Sequence, residues 1–225
     1  MNDIRMVLAI TKKDFLQEWR SKAATVATLF FSATTLVLIA FALGRDGALL
    51  RSAASGVLWI ALAFAGVISA AQSFQADLEE GAFDQLLLYP VPRALIYVGK
   101  LLANWAYLAV LGLLLAPVAF MFYDAKIAAN GWLMPIIIVL GTLGFAVVAT
   151  FYAALTANLQ AREALLPVLM FPIIVPVLLG AVRTTEAVLG RSELDLAGGW
   201  LQMLAGFDLV YFVVCTALFH FVVDE

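Results

Sequence analysis

The sequence has little of the side-chain chemistry that catalytic and metal sites use. It contains one cysteine, Cys215, and one histidine, His220. A single cysteine excludes a disulfide within the chain, and the five-residue separation of Cys215 and His220 does not place the two cleanly on one helix face. No zinc-protease histidine pair and no nucleophile elbow occurs. We therefore predict a non-catalytic chain with no metal site.

Charge is scarce as well. Only 13% of the 225 residues are charged, and the net charge is −3. This balance gives no basic patch of the kind that binds nucleic acid. The sequence also lacks a phosphate-binding loop of the Gly-x-x-x-x-Gly-Lys-Ser/Thr type, so it does not bind and hydrolyse ATP in that manner. The apolar segments contain no series of charged residues of the kind that relays ions, which argues against ion-coupled transport.

Apolar residues are what the sequence has in abundance. They make up 64% of the chain, and the mean hydropathy is +1.02. Several runs reach the roughly 20 residues that a helix needs to cross a bilayer. We predict one transmembrane domain over residues 1–225, an all-α membrane protein with six spanning helices. The predicted spans are residues 23–43, 53–71, 101–122, 132–157, 164–182 and 200–223.

Basic residues indicate the orientation of the chain in the membrane. Six spans place both termini on one side. If that side is the cytoplasm, the cytoplasmic segments carry eight of the 13 Lys and Arg residues and the loops on the other side carry five. The bias favours cytoplasmic termini. Residues 72–100 then form a cytoplasmic loop, and residues 183–199 form a periplasmic loop.

Residues 1–22 show the pattern of a helix lying in the membrane interface. Apolar side chains such as Phe15 and Trp19 recur near one face, and charged residues fall elsewhere. The positions that define this helix are Asp14, Phe15, Glu18, Trp19 and Arg20. An ordinary charged N-terminal tail is the alternative.

Polar residues and prolines inside the spans are few. Asp208 and Asn104 are the intramembrane polar positions. A buried carboxylate is a functional candidate by default, but a helix beginning near residue 205 would place Asp208 in its first turn, where the helix dipole stabilises a negative charge. The fifth span should be kinked or broken, because each proline removes a backbone donor. Its prolines are Pro167, Pro172 and Pro176.

The segment EEGAFDQLLLYPVPR, residues 79–93, lies between two spans. Glu79 and Glu80 begin a short helical pattern, and Phe83, Leu86 and Leu87 form one apolar face. Pro90 stops that helix, Pro92 can open the next span, and Arg93 marks the inner boundary together with Lys100. The pattern predicts a short amphipathic helix that lies on lipid or docks in a partner groove. The residues assigned to this helix are Glu79, Glu80, Gly81, Phe83, Asp84, Leu86, Leu87, Pro90, Pro92 and Arg93.

Three stretches together resemble a known family. They read SFQADLEEGAFDQLLLYPVPRALIYVGKLLANW, LQAREALLPVLMFPIIVPVLLGA and GGWLQMLAGFDLVYFVVCTALFHFVVDE. With the N-terminal KKDFLQEWRSK they cover essentially the whole chain. The chain is similar to the CcmB family, the membrane subunits of the haem-exporter complex of bacterial cytochrome c maturation.

The resemblance implies an ABC-2-type permease in the bacterial inner membrane. It implies a separate cytoplasmic ATPase subunit that carries the ATP, haem-handling membrane subunits, and two copies of this chain. Residues 79–93 then correspond to the coupling helix that contacts the ATPase, and residues 183–199 to short re-entrant outer helices. Haem is handled by the complex, and the chain itself is expected to bind no cofactor.

Two alternatives stay open. One is a non-transporting scaffold that anchors the ATPase and the haem-presenting subunits. The other is an ABC-2 permease for a lipid or polysaccharide. A single histidine excludes ligation of haem iron by two histidines of one chain, so a partner would have to supply ligation.

Overall fold

The structure is a computed structural model, and it describes most of the chain as helix. The described residues are 3–20, 22–44, 46–79, 81–82, 86, 88, 92–127, 130–157, 159, 162–190 and 194–223. Within them lie seven helices. These are α1 Asp3–Arg20, α2 Lys22–Leu43, α3 Gly47–Glu79, α4 Arg93–Phe122, α5 Leu133–Thr156, α6 Arg162–Val188 and α7 Leu194–Val223.

Six of the helices, α2 to α7, are long and apolar enough to cross a membrane. Their apolar windows match the roughly 30 Å of hydrocarbon that a spanning helix must cover. The prediction of an all-α membrane protein with six spans is therefore confirmed. Short connections make successive helices run in opposite directions. The starts of α2, α4 and α6 and the ends of α3, α5 and α7 then lie at one end of the bundle, which we call the α1 end.

Helix α5 is the centre of the bundle and packs against α3, α4, α6 and α7. Small residues allow this close packing. A Cβ atom at Gly141 would lie 2.2 Å from the indole ring of Trp59 on α3, so only glycine fits there. The Trp59 Nε1–H donates to Thr185 Oγ1 on α6 at 3.0 Å. One tryptophan thus links three helices in the buried core.

The spanning helices extend beyond the predicted spans. Helix α3 covers residues 47–79 and α4 begins at Arg93. Most of the predicted cytoplasmic loop, residues 72–100, is therefore helical, and only residues 80–92 lie between the two helices. In the same way, α6 continues to Val188 and α7 begins at Leu194. Within the segment 183–199, residues 183–188 and 194–199 are parts of these long helices and not separate re-entrant helices.

Helices α6 and α7 contradict two expectations, that Asp208 lies in a first turn and that the fifth span is broken at its prolines; a kink at those prolines stays a prediction. Helix α7 begins at Leu194, so Asp208 lies in its middle and not in a first turn. The prediction that a helix N-terminus stabilises this carboxylate is therefore wrong. Helix α6 continues through all three of its prolines, so it is not broken. The Tyr211 hydroxyl donates to the Ile173 carbonyl oxygen at 2.8 Å and ties α7 to α6 near Pro176.

Candidate functional site

The candidate site begins with the close approach of α1 to α4. Gly99 on α4 has no side chain, and a Cβ atom there would lie 2.8 Å from Ile10 Cβ on α1. The Thr11 hydroxyl donates to the Gly99 carbonyl oxygen at 3.0 Å and to the Val7 carbonyl oxygen at 2.9 Å. Glycine at position 99 thus lets the two helices touch. This contact places the next turn of α1 against α3 and α4.

Four charged side chains from three helices meet at this position. The Lys100 ammonium on α4 lies 2.6 Å from Asp77 Oδ2 on α3 and 3.2 Å from Asp14 Oδ2 on α1. The Lys13 ammonium lies 2.7 Å from Asp77 Oδ1 and 3.1 Å from Asp14 Oδ1. We call these residues, Lys13, Asp14, Asp77 and Lys100, the charge cluster.

The charge cluster is deeply buried for an ionic group. The side chains of Asp77 and Lys100 have no exposed surface, and Asp14 is 6% exposed. The Lys100 ammonium also lies 4.6 Å from the centroid of the Phe74 ring and donates to the Ser73 carbonyl oxygen at 3.3 Å. Two lysines balance two aspartates, so the cluster has no formal net charge. This pairing offsets part of the large cost of removing ions from water.

The structure shows which face of α1 packs against the bundle, a point that the predicted interfacial helix left open. A helix lying on lipid beside a solvated polar face would leave its acidic residues in water. Instead Asp14 and Glu18 are buried against the bundle, while Ile4 and Leu8 are 73% and 58% exposed. The acidic face therefore packs inward, and the apolar face is left for lipid. Phe15 is half-buried, Arg20 is exposed, and the side chain of Trp19 lies outside the described part.

Glu18 lies one turn beyond Asp14 and is 9% exposed. Burial raises its pKa to about 7, the negative charge of Asp14 adds to the shift, and the nearby Ser69 hydroxyl opposes it. For Lys13, burial acts to lower the pKa, but the hydrogen bond to Asp77 and the charges of Asp14 and Asp77 hold the pKa above its ordinary value. The ion pairs of Lys13 thus offset the effect of burial on its pKa, whereas the Ser69 hydroxyl near Glu18 does not offset it.

A polar cavity of about 280 Å³ lies beside the cluster, between α1, α3 and α4. Carboxylate, amide and hydroxyl groups line it. The lining residues are Asp14, Gln17, Glu18, Gln72, Ser73, Gln75, Ala76, Glu79, Ala103 and Asn104. On its inner side the Asn104 Nδ2–H donates to Thr150 Oγ1 of α5 at 3.0 Å. The predicted intramembrane residue Asn104 is thus one wall of this cavity and a tie to the central helix.

The segment between α3 and α4 is described only at Gly81, Ala82, Leu86, Leu88 and Pro92. Glu79 is the last residue of α3, so it does not open a separate helix as predicted, and its Oε1 accepts a hydrogen bond from Gln75 Nε2 at 2.8 Å. Gly81 adopts a φ of +64°, a left-handed conformation typical of the position after a helix end. Pro92 directly precedes α4, which fits a proline at a helix start. The calls on Glu80, Phe83, Asp84, Leu87 and Pro90 lie outside the described residues.

Asp208 is remote from the charge cluster. It is 4% exposed on α7, and a Cβ atom at Gly144 on α5 would lie 2.0 Å from its Oδ1. Neither of its carboxylate oxygens has a hydrogen-bond partner among the described residues. His220, which lies on the exposed face of α7 near its end, stacks against Phe221. The described residues contain no group of three His, Cys, Asp or Glu side chains that could hold a metal ion.

Sequence reasoning did not pair the members of the charge cluster. It placed Lys100 at the membrane boundary and gave Lys13 no role. The four residues are separated by up to 87 positions in the sequence, and only the packing of α1 on α4 brings them together. One signal was available. Asp77 lies two residues before the end of α3 and Lys100 about two turns inside α4, and an unpaired charge within an apolar helix is costly.

Comparison with known proteins identifies relatives along nearly the whole chain. A family model described as CcmB protein matches residues 5–223. A relative named heme exporter protein B from Rhodobacter capsulatus is 32% identical over 200 residues, which cover 88% of this chain and 89% of the relative. Proteins with the same name from Haemophilus influenzae and Escherichia coli K12 are each 27% identical, over 215 and 187 residues. Those alignments cover 94% and 83% of this chain and 96% and 83% of the relatives.

Proposed function

The chain belongs to the CcmB protein family, and from that premise we propose that it is the membrane permease subunit of an ATP-driven complex that handles or exports haem for cytochrome c biogenesis. The observation that carries the proposal is the match over residues 5–223 to a family whose relatives are named heme exporter protein B. The six apolar helices support a place in a membrane, and the bias of basic residues toward one side supports cytoplasmic termini.

ATP hydrolysis takes place on a separate cytoplasmic subunit in this proposal. The absence of a phosphate-binding loop from the sequence supports that division of labour. Two copies of this chain and further haem-handling membrane subunits complete the complex. Hydrolysis drives delivery of haem, or release of a haem-loaded periplasmic chaperone. The chain itself is a non-catalytic subunit.

Residues 79–93 are the segment through which the ATPase acts. The segment joins the end of α3 to the start of α4. Asp77 lies two residues before Glu79, and Lys100 lies about two turns into α4. The 2.6 Å ion pair between Asp77 and Lys100 fastens these two helix ends to each other, and Asp14 fastens α1 to both. A displacement of the segment is then transmitted to three helices as one unit.

A double substitution in the segment tests this coupling. Glu80→Lys with Leu87→Asp reverses a charge and disrupts the predicted apolar face, so we expect cytochrome c maturation to fail in cells that depend on this chain. Retention of the ATPase and of haem on purification, together with the ATP hydrolysis rate, shows which step is lost. Asp124→Asn, at the opposite end of the bundle, is the matched control. Normal maturation with normal ATPase co-purification in the double variant would refute the coupling role.

Three measurements separate the proposed function from its alternatives: co-purification, a search for a haem-sized path between two copies, and complementation of a deletion strain. A permease or haem-handling subunit retains both the ATPase and haem in the wild-type complex. A scaffold retains the ATPase and the haem-presenting subunits but has no haem-sized path between two copies. A permease for lipid or polysaccharide restores no cytochrome c maturation when it is returned to a deletion strain. Failure of that complementation would overturn the haem assignment.

A further inference from the structure

The polar cavity beside the charge cluster contains buried hydrogen-bond acceptors that accept no hydrogen bond within the described part of the chain. These atoms are Gln72 Oε1 and Glu18 Oε1, and the Ser69 hydroxyl near Glu18 does not form a well-aligned hydrogen bond with Oε1. Asp14 Oδ1, in the same wall, has the Lys13 ammonium at 3.1 Å but no well-aligned donor. Buried polar atoms are nearly always satisfied by protein, water or ligand. The two unpaired oxygen acceptors on one cavity indicate that its occupant, whether water or a ligand, is a hydrogen-bond donor.

The charges around the cavity indicate the sign of that occupant. Lys13 and Lys100 balance Asp14 and Asp77, so the cluster is internally neutral. Glu18 then adds a negative charge, and no basic side chain pairs with it among the described residues. Glu79 in the lining adds a second carboxylate, and it pairs with no basic side chain within the part of the chain that the structure describes, where the Gln75 amide donates to it at 2.8 Å. A donor that is also a cation satisfies both the orphaned oxygens and the excess charge.

The size and chemistry of the cavity select an organic cation over a metal ion. Its volume of about 280 Å³ equals roughly nine liquid water molecules, at about 30 Å³ each. A bare metal ion would leave most of that space empty, and no described group of three His, Cys, Asp or Glu side chains surrounds it. The amides of Gln72 and Gln75 and the hydroxyl of Ser73 suit a small group with several N–H donors.

We propose that this cavity binds a primary ammonium group, with Glu18 as its counter-ion and Gln72 as a second acceptor. Two sources present this chemistry: the ethanolamine headgroup of a membrane lipid and a free small amine. The lipid source fits the position of α1, whose exposed Ile4, Leu8 and Leu16 place it at headgroup depth when they face lipid. The site is independent of any role in haem handling.

The test compares two lipids whose cations carry the same charge but differ by three N-methyl groups, and therefore in hydrogen-bonding capacity and in size. The purified full chain is incubated with equal amounts of phosphatidylethanolamine and phosphatidylcholine and examined by native mass spectrometry. The ethanolamine ammonium donates three hydrogen bonds and the choline ammonium none. We expect the ethanolamine lipid to be retained about tenfold or more over the choline lipid, the ratio that one charge-assisted hydrogen bond supplies.

Substitutions in the cavity test whether the preference for the ethanolamine lipid arises there. Glu18→Gln removes the counter-ion and should abolish the preference, and Gln72→Leu should weaken it while leaving all charges in place. Glu186→Gln is the matched control, because Glu186 pairs with Arg183 at 3.0 Å near the opposite end of the bundle. Thermal unfolding of each variant verifies that it is folded, and Gln72→Leu keeps the test decisive if Glu18→Gln does not fold.

Soluble ethanolamine distinguishes the two sources. If it raises the unfolding temperature of the wild type in phosphatidylcholine but not that of Glu18→Gln, and no lipid preference exists, the site takes a free amine. If the lipid preference exists and soluble ethanolamine competes for it, the lipid headgroup is the ligand. Equal retention of the two lipids with no effect of ethanolamine means that the cavity holds only water, and it overturns the proposal. A preference that survives in Glu18→Gln also overturns it.

Discussion

The ammonium of Lys100 lies 2.6 Å from Asp77 Oδ2, and neither side chain has any exposed surface. The two residues belong to helices that are joined by the segment 80–92, so their contact closes a loop at the α1 end of the bundle. Asp14 joins the same ammonium at 3.2 Å from a third helix. A buried ion pair of this kind adds little net stability over an apolar replacement of both partners, but loss of one partner is costly.

Lys100→Met should therefore destabilise the protein strongly. It leaves Asp77 and Asp14 with only the half-exposed Lys13 as a cation, and breaking a buried pair costs about 3–5 kcal/mol. Thermal unfolding in detergent measures the loss, and adding Asp77→Asn should restore part of it because the orphaned charge is removed. The control is Arg51→Met, which breaks the exposed Arg51–Asp124 pair and should cost about 0–1 kcal/mol. Equal effects of the two substitutions would show that burial of the cluster does not matter.

Glu18 predicts a pH dependence of stability. Its pKa in the folded state is about 7, above the ordinary value of 4.5, because burial disfavours the charged form. The folded state therefore holds this proton more tightly than the unfolded state does. The stabilisation is fully present below about pH 4.5 and is lost as the pH rises through about 7. The ionisable groups around Glu18 are Asp14 and Lys13 on its own helix and Tyr107 on α4.

Glu18→Gln should flatten the stability profile between about pH 4.5 and 7, because the amide does not titrate. Above pH 7 the variant should be at least as stable as the wild type in the absence of an amine ligand. Unfolding temperatures at several pH values measure both effects, with Glu186→Gln as the control at the other end of the bundle. A wild-type profile that is already flat in this window would contradict the assignment.

Gly99→Ala should separate α1 from the bundle. The new methyl group would lie 2.8 Å from Ile10 Cβ, so α1 must move outward and the Thr11 hydroxyl loses the Gly99 carbonyl oxygen. We expect a destabilisation of about 1–3 kcal/mol, the usual cost of overpacking, and faster proteolysis within residues 3–20. Gly56→Ala is the control, because nothing lies within 4 Å of a Cβ atom at Gly56. That substitution should be neutral or slightly stabilising, since alanine is the better helix former.

Asp208→Asn tests whether the Asp208 carboxylate is needed for function without being needed for stability. No described side chain donates a hydrogen bond to the Asp208 carboxylate, so the substitution leaves no partner without its bond. The unfolding temperature should stay the same or rise, because burying a neutral amide without a partner costs less than burying a carboxylate that can ionise. If cytochrome c maturation falls while stability does not, Asp208 has a functional role. A marked loss of stability would instead reveal a structural partner, and Gly144→Ala, which crowds the same carboxylate, should destabilise in either case.

The sequence by itself determined the class of the molecule and the number of its spans. Apolar runs such as residues 132–157 are long enough to cross a bilayer as a helix, and a helix satisfies its own backbone hydrogen bonds there. Turn signals and proline positions located Pro92 at the start of α4 without tertiary information. Each of these inferences depends on interactions within one segment, which is why a linear pattern is sufficient.

The tertiary structure alone decided where the charged residues of these helices lie. The amphipathic pattern of α1 shows two faces, but it does not tell which face meets the bundle, because lipid and a protein interior are both apolar. The face that packs inward follows from Gly99, because the lack of a side chain there lets Ile10 pack against α4. With Ile10 in that position, Asp14 lies 3.2 Å from the Lys100 ammonium. Asp208 shows the same limit: its burial beside Gly144 depends on the packing of α7 against α5. Ion pairing across sequence-distant helices is a property of the packed bundle and leaves no local pattern.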